Sequence, residues 1–428
     1  MAALILGLYN LLATLLVWPI CILVRRHPNF KDTLQLRLSF KLPARPHGEL
    51  LWFHGSSLGE VKAVAGLLTE LKARRPDITI GVSTMTVTGR EAAGSIAGVD
   101  LILPFPFDLD WVMRRYLRHL APQALVIVET EIWPNLLMEA QKAGIRTLFV
   151  NARLTKKAFR RYQWIKPLTR RVLRHAEVLA IAPEDKSRFK SLGAQRVDVI
   201  GNLKFDAMRT SDPGRARAIR ASLQCGDRPV FIAGSVREGE EVMVLEAIRY
   251  AHDRIPGLFS IIAPRHAERI PLLIDLSKAS GLVWGLRSRP GAEDLLIIDT
   301  AGELFDLYGA AQAAFVGGSL VDLGGQNILE PIAWGIPTIH GPHMYKFLWA
   351  LDAVKGHTLV VHDATELGKT IVDILMHPER YAAMARGGRE KLVLARGGTE
   401  RYLHAILGWG KSREPQPSAH LSPHDPIR

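Results

Sequence analysis

The stretch LLWFHGSSLGEV, residues 50–61, runs an apolar strand into a turn with two glycines and then into the start of a helix. The same order recurs where ALVIVE, residues 124–129, precedes the helical pattern NLLMEAQKAG, residues 135–144. Continuous apolar strands that alternate with helices are typical of a parallel sheet covered on both faces. The sequence therefore predicts an α/β fold.

This alternation pauses after residue 201 and begins again with PVFIAGS, residues 229–235. We predict an N-terminal membrane anchor over 1–26, a Rossmann-like domain over 27–205, a linker region over 206–228, a second Rossmann-like domain over 229–410 and a disordered tail over 411–428. Two doubly wound domains in tandem are expected to face each other across a cleft. Ligands of such sheets bind at the carboxyl ends of the strands, so the loops there are the place to look for chemistry.

Charge and hydropathy indicate a protein that works at a membrane. The 428 residues carry a formal net charge of +13, which indicates an anionic partner such as nucleic acid, a phospholipid surface or a phosphorylated substrate. Residues 2–24 contain no charge, and at about 1.5 Å per residue they can cross ~30 Å of hydrocarbon. Basic residues follow directly, namely Arg25, Arg26, Lys31 and Arg37. The positive-inside rule then leaves the body in the cytoplasm; a helix that lies in the interface and is interrupted at Pro19 is the alternative.

Glu60 allows two interpretations. Ser57 and Glu60 form the pattern S-x-x-E of a capping box, in which the serine and the glutamate satisfy backbone N–H groups at a helix start. Alternatively, Glu60 lies at the carboxyl end of a strand, faces the cleft and acts as a general base. The helix N-terminus would keep such a carboxylate ionised at pH 7.

Two further groups in the first half are candidates for function. Glu129 and Glu131 follow a buried strand, where carboxylates are uncommon, so one of them is expected to belong to a site. Downstream, basic residues fall at near-helical spacing with Phe159, Tyr162 and Trp164 between them. The basic residues are Arg153, Lys157, Arg160, Arg161, Lys166, Arg170, Arg171 and Arg174. This run is either a solvated face or a surface that touches lipid headgroups or a phosphorylated lipid.

The second half predicts a nucleotide site. Arg265 follows an apolar strand, and arginine suits phosphate because its donors form a fork. DTAGEL, residues 299–304, opens a helix, and the segment 315–331 combines two Gly-Gly pairs with Glu330 in the first turn of another helix. Two tight turns and a glutamate that compensates a helix dipole are the alternative. The chain has no G-x-G-x-x-G, G-x-x-x-x-G-K-[ST] or H-E-x-x-H motif, which disfavours a dehydrogenase, a P-loop enzyme and a zinc protease.

The combination of these motifs resembles the family of 3-deoxy-D-manno-oct-2-ulosonic acid (Kdo) transferases, from the anchor to about Leu407. The motifs that carry the resemblance are HGSSLGE, ETEIWPN, NARLTKKAFRRY, GNLKFD, REGEE, PRHAER, DTAGELFDLY, FVGGSL and GGQNILEP. The resemblance implies an inverting glycosyltransferase of lipopolysaccharide assembly with two Rossmann-like domains, the GT-B arrangement, and an anchor in the bacterial inner membrane. It implies CMP-Kdo as donor, a lipid A precursor as acceptor, and neither a metal nor a cofactor.

The resemblance also implies roles for individual residues. Glu60 is implied to be the catalytic base, with Glu129 and Lys204 supporting the transition state. CMP contacts are implied for Pro264, Arg265, Gly302, Glu303, Leu304, Asn327, Leu329 and Glu330. The chain departs from the family pattern at Val236 and Arg237, where Thr-His is usual, and at Gln326, where His is usual.

Two other functions compete with this one. Another GT-B glycosyltransferase or a nucleotide-sugar epimerase would use a different nucleotide sugar. A membrane-tethered nucleic-acid binder would fit the net charge, but the sequence contains no known nucleic-acid-binding module. We therefore expect membrane lipids, the donor and the acceptor as partners, and no nucleic acid.

Overall fold

The computed structural model describes residues 1–289, 291 and 293–408, which form two compact units. Of the described residues, the first unit contains 1–206 and 397–408, and the second contains those between 207 and 396. The predicted tail over 411–428 lies outside the described residues.

The first unit is a seven-stranded parallel sheet with helices between its strands. Its strands are β1 (Leu50–His54), β2 (Thr79–Thr84), β3 (Leu101–Pro104), β4 (Ala124–Val128), β5 (Arg146–Ala152), β6 (Glu177–Ala180) and β7 (Arg196–Val199). Its helices up to residue 206 are α1 (Ala2–Val24), α2 (Leu34–Arg37), α3 (Leu58–Arg74), α4 (Val87–Gly94), α5 (Asp110–Leu120), α6 (Pro134–Lys142), α7 (Lys156–Trp164), α8 (Lys166–Leu173) and α9 (Pro183–Leu192). A 3₁₀ turn at Leu203–Phe205 ends this part of the chain.

The strand order in this sheet is β3-β2-β1-β4-β5-β6-β7, and every pair is parallel. All five residues of β1 are buried, because helices cover both faces of the sheet. The carboxyl ends of β1, β2 and β4 therefore lie side by side, and the loops that follow them share one edge of the sheet. The turn that leads to Glu60 starts at this edge.

The second unit repeats the same architecture. Its strands are β8 (Val230–Val236), β9 (Phe259–Pro264), β10 (Trp284–Leu286), β11 (Leu295–Ile297), β12 (Ala313–Val316), β13 (Thr338–His340) and β14 (Leu359–Val360), in the parallel order β10-β11-β9-β8-β12-β13-β14. Its helices are α10 (Pro213–Ser222), α11 (Glu241–His252), α12 (Ile270–Ala279), α13 (Leu304–Tyr308), α14 (Leu329–Trp334), α15 (Leu348–Ala353), α16 (Ala364–Met376) and α17 (Pro378–Ala395). A 3₁₀ turn at Ala267–Arg269 precedes α12. The prediction of two parallel α/β sheets is confirmed.

The last helix, α18 (Gly398–Leu407), returns to the first unit, which differs from the predicted end of the second domain at 410. Tyr402 on this helix is fully buried; its hydroxyl accepts the N–H of Asn151 (3.1 Å) and donates to the carbonyl of Gly201 (2.8 Å). Asp206 accepts the N–H groups of Gly397 (2.7 Å) and Thr399, so it fixes the start of the helix. Apolar periodicity indicates a helix but not which core it joins, so the sequence could not place α18.

We expect Tyr402→Phe to destabilise the first unit by about 1–3 kcal/mol, because the N–H of Asn151 is buried and loses its acceptor. Asn151 also has a left-handed backbone (φ 51°), so this loss falls on a strained position. Urea unfolding measures the effect. Tyr345→Phe, at a tyrosine that is 54% exposed, is the control and should change stability by less than about 0.5 kcal/mol. Equal stability of the two variants would contradict a stabilising role for the hydrogen bond between Tyr402 and Asn151.

The segment predicted as a linker, 206–228, is built largely into the second unit. It contains no strand, as expected, but Pro213 and Gly214 begin α10 rather than forming a turn. Leu223 and Cys225 are buried in the core beside β8. The helix forms because Asp212 accepts the N–H of Gly214 (2.8 Å) and proline suits the first helical position.

The N-terminal helix packs along the first unit through one face. Val17 and Cys21 are buried in its core, and the Tyr9 hydroxyl donates to the Asp108 carboxylate at 2.9 Å. Large apolar side chains on the rest of the helix are exposed, among them Leu4, Leu8, Leu11, Leu12, Leu15, Leu16 and Trp18. Among the described residues, Ala2–Val24 is the helix long and apolar enough to cross a membrane.

Arg37, one of the basic residues predicted to flank the anchor, is fully buried rather than exposed. It donates to the carbonyls of Phe105 (2.7 Å) and Met85 (2.9 Å), so its role is structural.

Candidate active site

Glu60 lies in the first turn of α3 and makes both contacts of the capping interpretation. The Ser57 hydroxyl accepts the N–H of Glu60 (3.4 Å) and donates to its Oε1 (3.0 Å). Oε2 of Glu60 accepts the N–H of Ser56 at 2.7 Å. The carboxylate thus reaches back over the turn between β1 and α3, and a Cβ on Gly55 would come within 3.3 Å of the Glu60 side chain. The turn needs a small residue there for this close approach.

The pKa of Glu60 is raised to about 7, contrary to the expectation that the helix start keeps it ionised. Burial is the largest cause, and the charge of Glu131 adds to it, with a smaller contribution from Glu129. The N–H of Ser56 and the hydroxyl of Ser57 lower the pKa, but by less. A carboxyl group with a pKa near 7 is half ionised at neutral pH, which suits a group that accepts and releases a proton.

The two glutamates after β4 have different environments. Glu129 has a left-handed backbone (φ 59°), which is uncommon for a residue other than glycine, and its N–H donates to the carbonyl of Val150 at 3.0 Å. Glu131 is half-buried, and burial raises its pKa. The structure therefore brings both residues of the pair near Glu60, with the stronger electrostatic influence coming from Glu131.

His54 and Ser56 lie beside Glu60, although the sequence pattern gave them no role. Nδ1 of His54 lies 3.1 Å from the carbonyl of Ser83, so that nitrogen carries the proton and Nε2 is left as an acceptor. Nε2 lies 3.4 Å from the hydroxyl of Ser56, whose N–H binds Glu60. Burial lowers the pKa of His54 to about 3, so the ring is neutral and orients Ser56 without adding charge. The position of His54 at the last residue of β1 was the available sequence signal.

Lys204 lies in the 3₁₀ turn that closes the first part of the unit. Its N–H donates to Oδ1 of Asn202 (3.0 Å), and the N–H of Leu203 donates to Oδ1 of Asn151 (3.1 Å). The turn packs against α3, the helix that carries Glu60 in its first turn, and the Lys204 side chain is half-buried. The three predicted catalytic residues, Glu60, Glu129 and Lys204, thus belong to the same unit.

Most of the basic run lies on α7 and α8, with Arg153 before α7 and Arg174 directly after α8. Lys156, Lys157, Arg160 and Arg161 of α7 line an open cavity of about 740 Å³ together with Trp164, which is 88% exposed. The hydroxyl of Tyr162, on the same helix, lies 3.5 Å from the carbonyl of Thr130, between the two glutamates of the pair. The C-terminal half of α7 therefore lies next to the loop that carries Glu129 and Glu131. An exposed tryptophan among cations is typical of surfaces that meet lipid headgroups.

In the second unit, Arg265 and Glu330 come close together. Pro264 ends β9, and the N–H of Arg265 donates to the carbonyl of Val236 at 2.9 Å. Burial raises the pKa of Glu330, while Nδ2 of Asn327 (3.1 Å from Glu330) and the charges of Arg209 and Arg265 lower it. The Arg265 side chain is exposed and available to a ligand.

The other predicted donor contacts lie at the starts of α13 and α14. Gly302 is exposed and has φ 89°, which favours glycine. Glu303 accepts from the Arg287 guanidinium at 3.1 Å and from the Thr300 hydroxyl, and Leu304 is the first residue of α13. Leu329 is buried and its N–H donates to Oδ1 of Asn327 at 3.3 Å. Each of these residues lies near a helix start, as predicted, although both helices are short.

Comparison with known proteins identifies the family. A family model described as 3-deoxy-D-manno-octulosonic-acid transferase (kdotransferase) matches residues 32–207. The chain is 34% identical over 388 residues to the 3-deoxy-D-manno-octulosonic acid transferase of Bordetella pertussis, covering 87% of this chain and 90% of that one. It is 30% identical over 395 residues to the enzyme of the same name from Haemophilus influenzae, covering 89% and 92%.

A solved structure shows a similar fold at much lower sequence identity. The UDP-GlcNAc 2-epimerase of Neisseria meningitidis matches with a TM-score of 0.55 at 14% identity, over 84% of this chain and all of that one. A likeness at this identity concerns the fold alone, which is the two-sheet α/β arrangement of GT-B-like proteins. The sequence relatives, in contrast, match over most of both chains at 30–34% identity. The chain therefore belongs to the family of 3-deoxy-D-manno-octulosonic acid transferases and is a glycosyltransferase.

Proposed function

We propose that the protein transfers Kdo from CMP-Kdo to a hydroxyl group of a lipid A precursor, with inversion at the anomeric carbon. The observation that carries the proposal is Glu60, a half-buried carboxylate with a pKa of about 7 at the carboxyl edge of the first sheet, in a chain of this family. The acceptor oxygen forms the new bond to the anomeric carbon as the bond to the CMP phosphate breaks. The acceptor proton goes to Glu60, and the bonding electron pair leaves with the phosphate.

The capping contacts of Glu60 are compatible with its role as a base. Ser56 and Ser57 donate one hydrogen bond to each carboxylate oxygen, and each oxygen can accept a second. The two contacts therefore hold the carboxylate in one orientation while a lone pair stays available to the acceptor hydroxyl. A base that is fixed before the substrate arrives loses less entropy in the reaction.

Glu129 and Lys204 support this step as proposed electrostatic groups. The hydrogen bond from the N–H of Glu129 to the carbonyl of Val150 (3.0 Å) holds this residue, with its left-handed backbone, directly after β4. Lys204 lies on a turn that packs against α3 and brings a positive charge to the unit that holds the base. A cation stabilises the negative charge that develops as the CMP phosphate departs.

The second unit is proposed to hold the donor through Pro264, Arg265, Gly302, Glu303, Leu304, Asn327, Leu329 and Glu330. Arg265 would bind the phosphate, and the carboxylate of Glu330, oriented by Asn327, would accept hydrogen bonds from ribose hydroxyls. Arg265 also lowers the pKa of Glu330 and so helps to keep it ionised as an acceptor.

The lipid acceptor is proposed to reach the site along the membrane. The cations of α7 suit the phosphates of a lipid A precursor, and the apolar exposed side of α1 suits the bilayer. We propose that the protein is held at the bacterial inner membrane with its body on the cytoplasmic side. The alternatives of a spanning helix and an interfacial helix both fit the length of α1.

We expect the rate at limiting acceptor to rise with pH through about 7 and to level off above it, because Glu60 accepts a proton only when it is ionised. Glu131→Gln removes a negative charge that raises this pKa, so the midpoint should move to lower pH. Initial rates of Kdo transfer across pH measure both effects. Identical midpoints in the wild type and Glu131→Gln would contradict an effect of the Glu131 charge on the pKa of Glu60.

The function is tested by incubating the purified protein with a lipid A precursor and CMP-Kdo and weighing the lipid by mass spectrometry. The expected product is heavier by one or more Kdo residues, and the spectrum counts the additions. Binding of CMP against UDP by titration calorimetry separates this function from that of a GT-B enzyme or epimerase that uses another nucleotide. An unchanged lipid together with preference for UDP would overturn the proposal.

A further inference from the structure

Glu240 is a fully buried carboxylate in the second unit, between β8 and α11. Its Oε1 accepts the N–H groups of Ser319 and Leu320, each at 2.8 Å. Its Oε2 accepts those of Gly318 (2.5 Å) and Arg237 (3.1 Å). Four backbone donors thus compensate a negative charge that would otherwise be costly to bury.

Three consecutive N–H groups that converge on one point form a nest, a common binding site for anions such as phosphate. Here the nest of residues 318–320 is filled by a carboxylate of the chain itself. The sequence pattern suggested that this first Gly-Gly pair lets the backbone approach a phosphate. The structure instead uses these amides to hold the loop, so they are not available to a donor phosphate.

The loop that Glu240 holds joins the ends of three neighbouring strands. The Ser319 hydroxyl donates to the carbonyl of Val316 at the end of β12 (2.6 Å) and accepts the N–H of Gly341 after β13 (2.8 Å). A Cβ on Gly317 would come within 2.5 Å of the Ser235 carbonyl on β8, so the loop packs tightly against that strand. Glu240 therefore sets the position of the whole loop at the carboxyl edge of the second sheet.

The loop at residues 317–320 is hydrogen-bonded to the second Gly-Gly pair, Gly324 and Gly325. The carbonyl of Gly318 accepts the N–H of Gly325 at 2.6 Å, and Gln326 and Asn327 follow directly. The side chains of Arg237 and Gln326 flank Gly318, within 3.2 and 3.4 Å of where its Cβ would be. Arg237 and Gln326 are among the positions at which the chain departs from the pattern of the family that it resembles.

We propose that Glu240 is a positioning residue for donor binding, an inference that rests on the proposed function. It acts through the amides of residues 318–320 and then through Gly325 on Asn327 and Glu330. It does not touch the donor. Its carboxylate replaces an external anion in the nest and so holds the donor loop in the bound arrangement before the donor arrives, which reduces the cost of binding.

Glu240→Gln tests the proposal, because glutamine has the same shape but turns an NH₂ group toward two of the four donors. We expect the CMP dissociation constant and the donor KM to rise at least about tenfold, with acceptor KM unchanged, and the amides of Gly318, Ser319 and Leu320 to lose protection from hydrogen exchange. Glu241→Gln is the matched control. Glu241 is equally buried but binds Arg269 (2.7 Å) and the N–H of Gly239 (2.8 Å), away from the loop.

Normal CMP affinity in Glu240→Gln, or equal losses in both glutamine variants, would overturn the proposal. If Glu240→Gln does not fold, Gly318→Ala replaces it, since φ 69° disfavours alanine and its Cβ meets only flexible side chains. That variant should also bind CMP more weakly and lose amide protection at Ser319 and Leu320; normal affinity would again contradict the inference. Failure of the unmodified protein to bind CMP would instead contradict the proposed function.

Discussion

Glu60→Gln is expected to reduce Kdo transfer by about 10²- to 10⁴-fold, the usual contribution of a general base, while CMP binding stays at the wild-type value. Glutamine keeps the shape of the side chain and an amide oxygen that can still accept the N–H of Ser56. The start of α3 should therefore survive the change. What disappears is a group that accepts a proton.

The variant separates the two interpretations of Glu60. If Glu60 served only to stabilise the helix, Glu60→Gln would lower the free energy of unfolding and leave the transfer rate per folded molecule unchanged. Glu70→Gln on the same helix is the matched control, because Glu70 is exposed and pairs with Arg74 at 2.8 Å. Rates from mass spectrometry, divided by the folded fraction, decide the question, and a Glu60→Gln rate close to that of Glu70→Gln would remove Glu60 from the mechanism.

The structure also shows why capping and base catalysis need not compete at this residue. A carboxylate whose oxygens are engaged in capping hydrogen bonds is expected to be a poor base, because hydrogen bonds to the ionised form lower its pKa. Ser56 and Ser57 do engage both oxygens of Glu60, yet the pKa is about 7, since burial and the charge of Glu131 outweigh those two contacts. Hydrogen bonds alone would have made the carboxylate a weaker base. Burial, together with the neighbouring charge of Glu131, restores its basicity.

The fold was predictable because its signal is local. Most strands are continuous apolar runs followed by a turn and a helical pattern, as Leu50–His54 is followed by α3. The exceptions are β7, which is largely exposed, and β10, which leads to β11 without a helix. Parallel sheets follow from that alternation without knowledge of distant contacts. The place of α18 was not predictable in this way, because it depends on contacts between Tyr402 and residues far away in sequence, such as Asn151.

The site was predictable only in part, for the same reason. Glu60, Arg265 and Glu330 were found in the sequence because ligands of parallel sheets bind at the carboxyl ends of the strands and because the family motifs contain these residues. The pKa of Glu60 depends on burial and on Glu131, which follows a different strand, and no spacing in the sequence reports that proximity.

At Glu240 the sequence pattern indicated a ligand contact that the structure does not leave available. A glycine pair that resembles a phosphate loop already holds a carboxylate, which only the hydrogen bonds of the folded chain can show.

Arg265→Ala is expected to weaken CMP binding by about 10- to 100-fold, because a hydrogen bond to a charged group contributes roughly 1.5–3 kcal/mol. The Arg265 side chain is exposed at the end of β9, so its removal should leave the second unit folded. A second effect adds to the first. Without the charge of Arg265, the pKa of Glu330 rises further, and a larger fraction of Glu330 loses the ionised form proposed to accept from ribose.

These two effects can be separated by pH. The loss of the phosphate contact is present at every pH, whereas the protonation of Glu330 matters less as the pH rises. The CMP affinity of Arg265→Ala should therefore recover partly at higher pH and remain below that of the wild type. Calorimetric titration with CMP at several pH values measures this, and Arg254→Ala, which removes the same charge from an exposed position in the same unit, is the control. Equal affinities of the two alanine variants would place the donor phosphate away from Arg265, and the second sheet would then need a different cation for its anionic ligand.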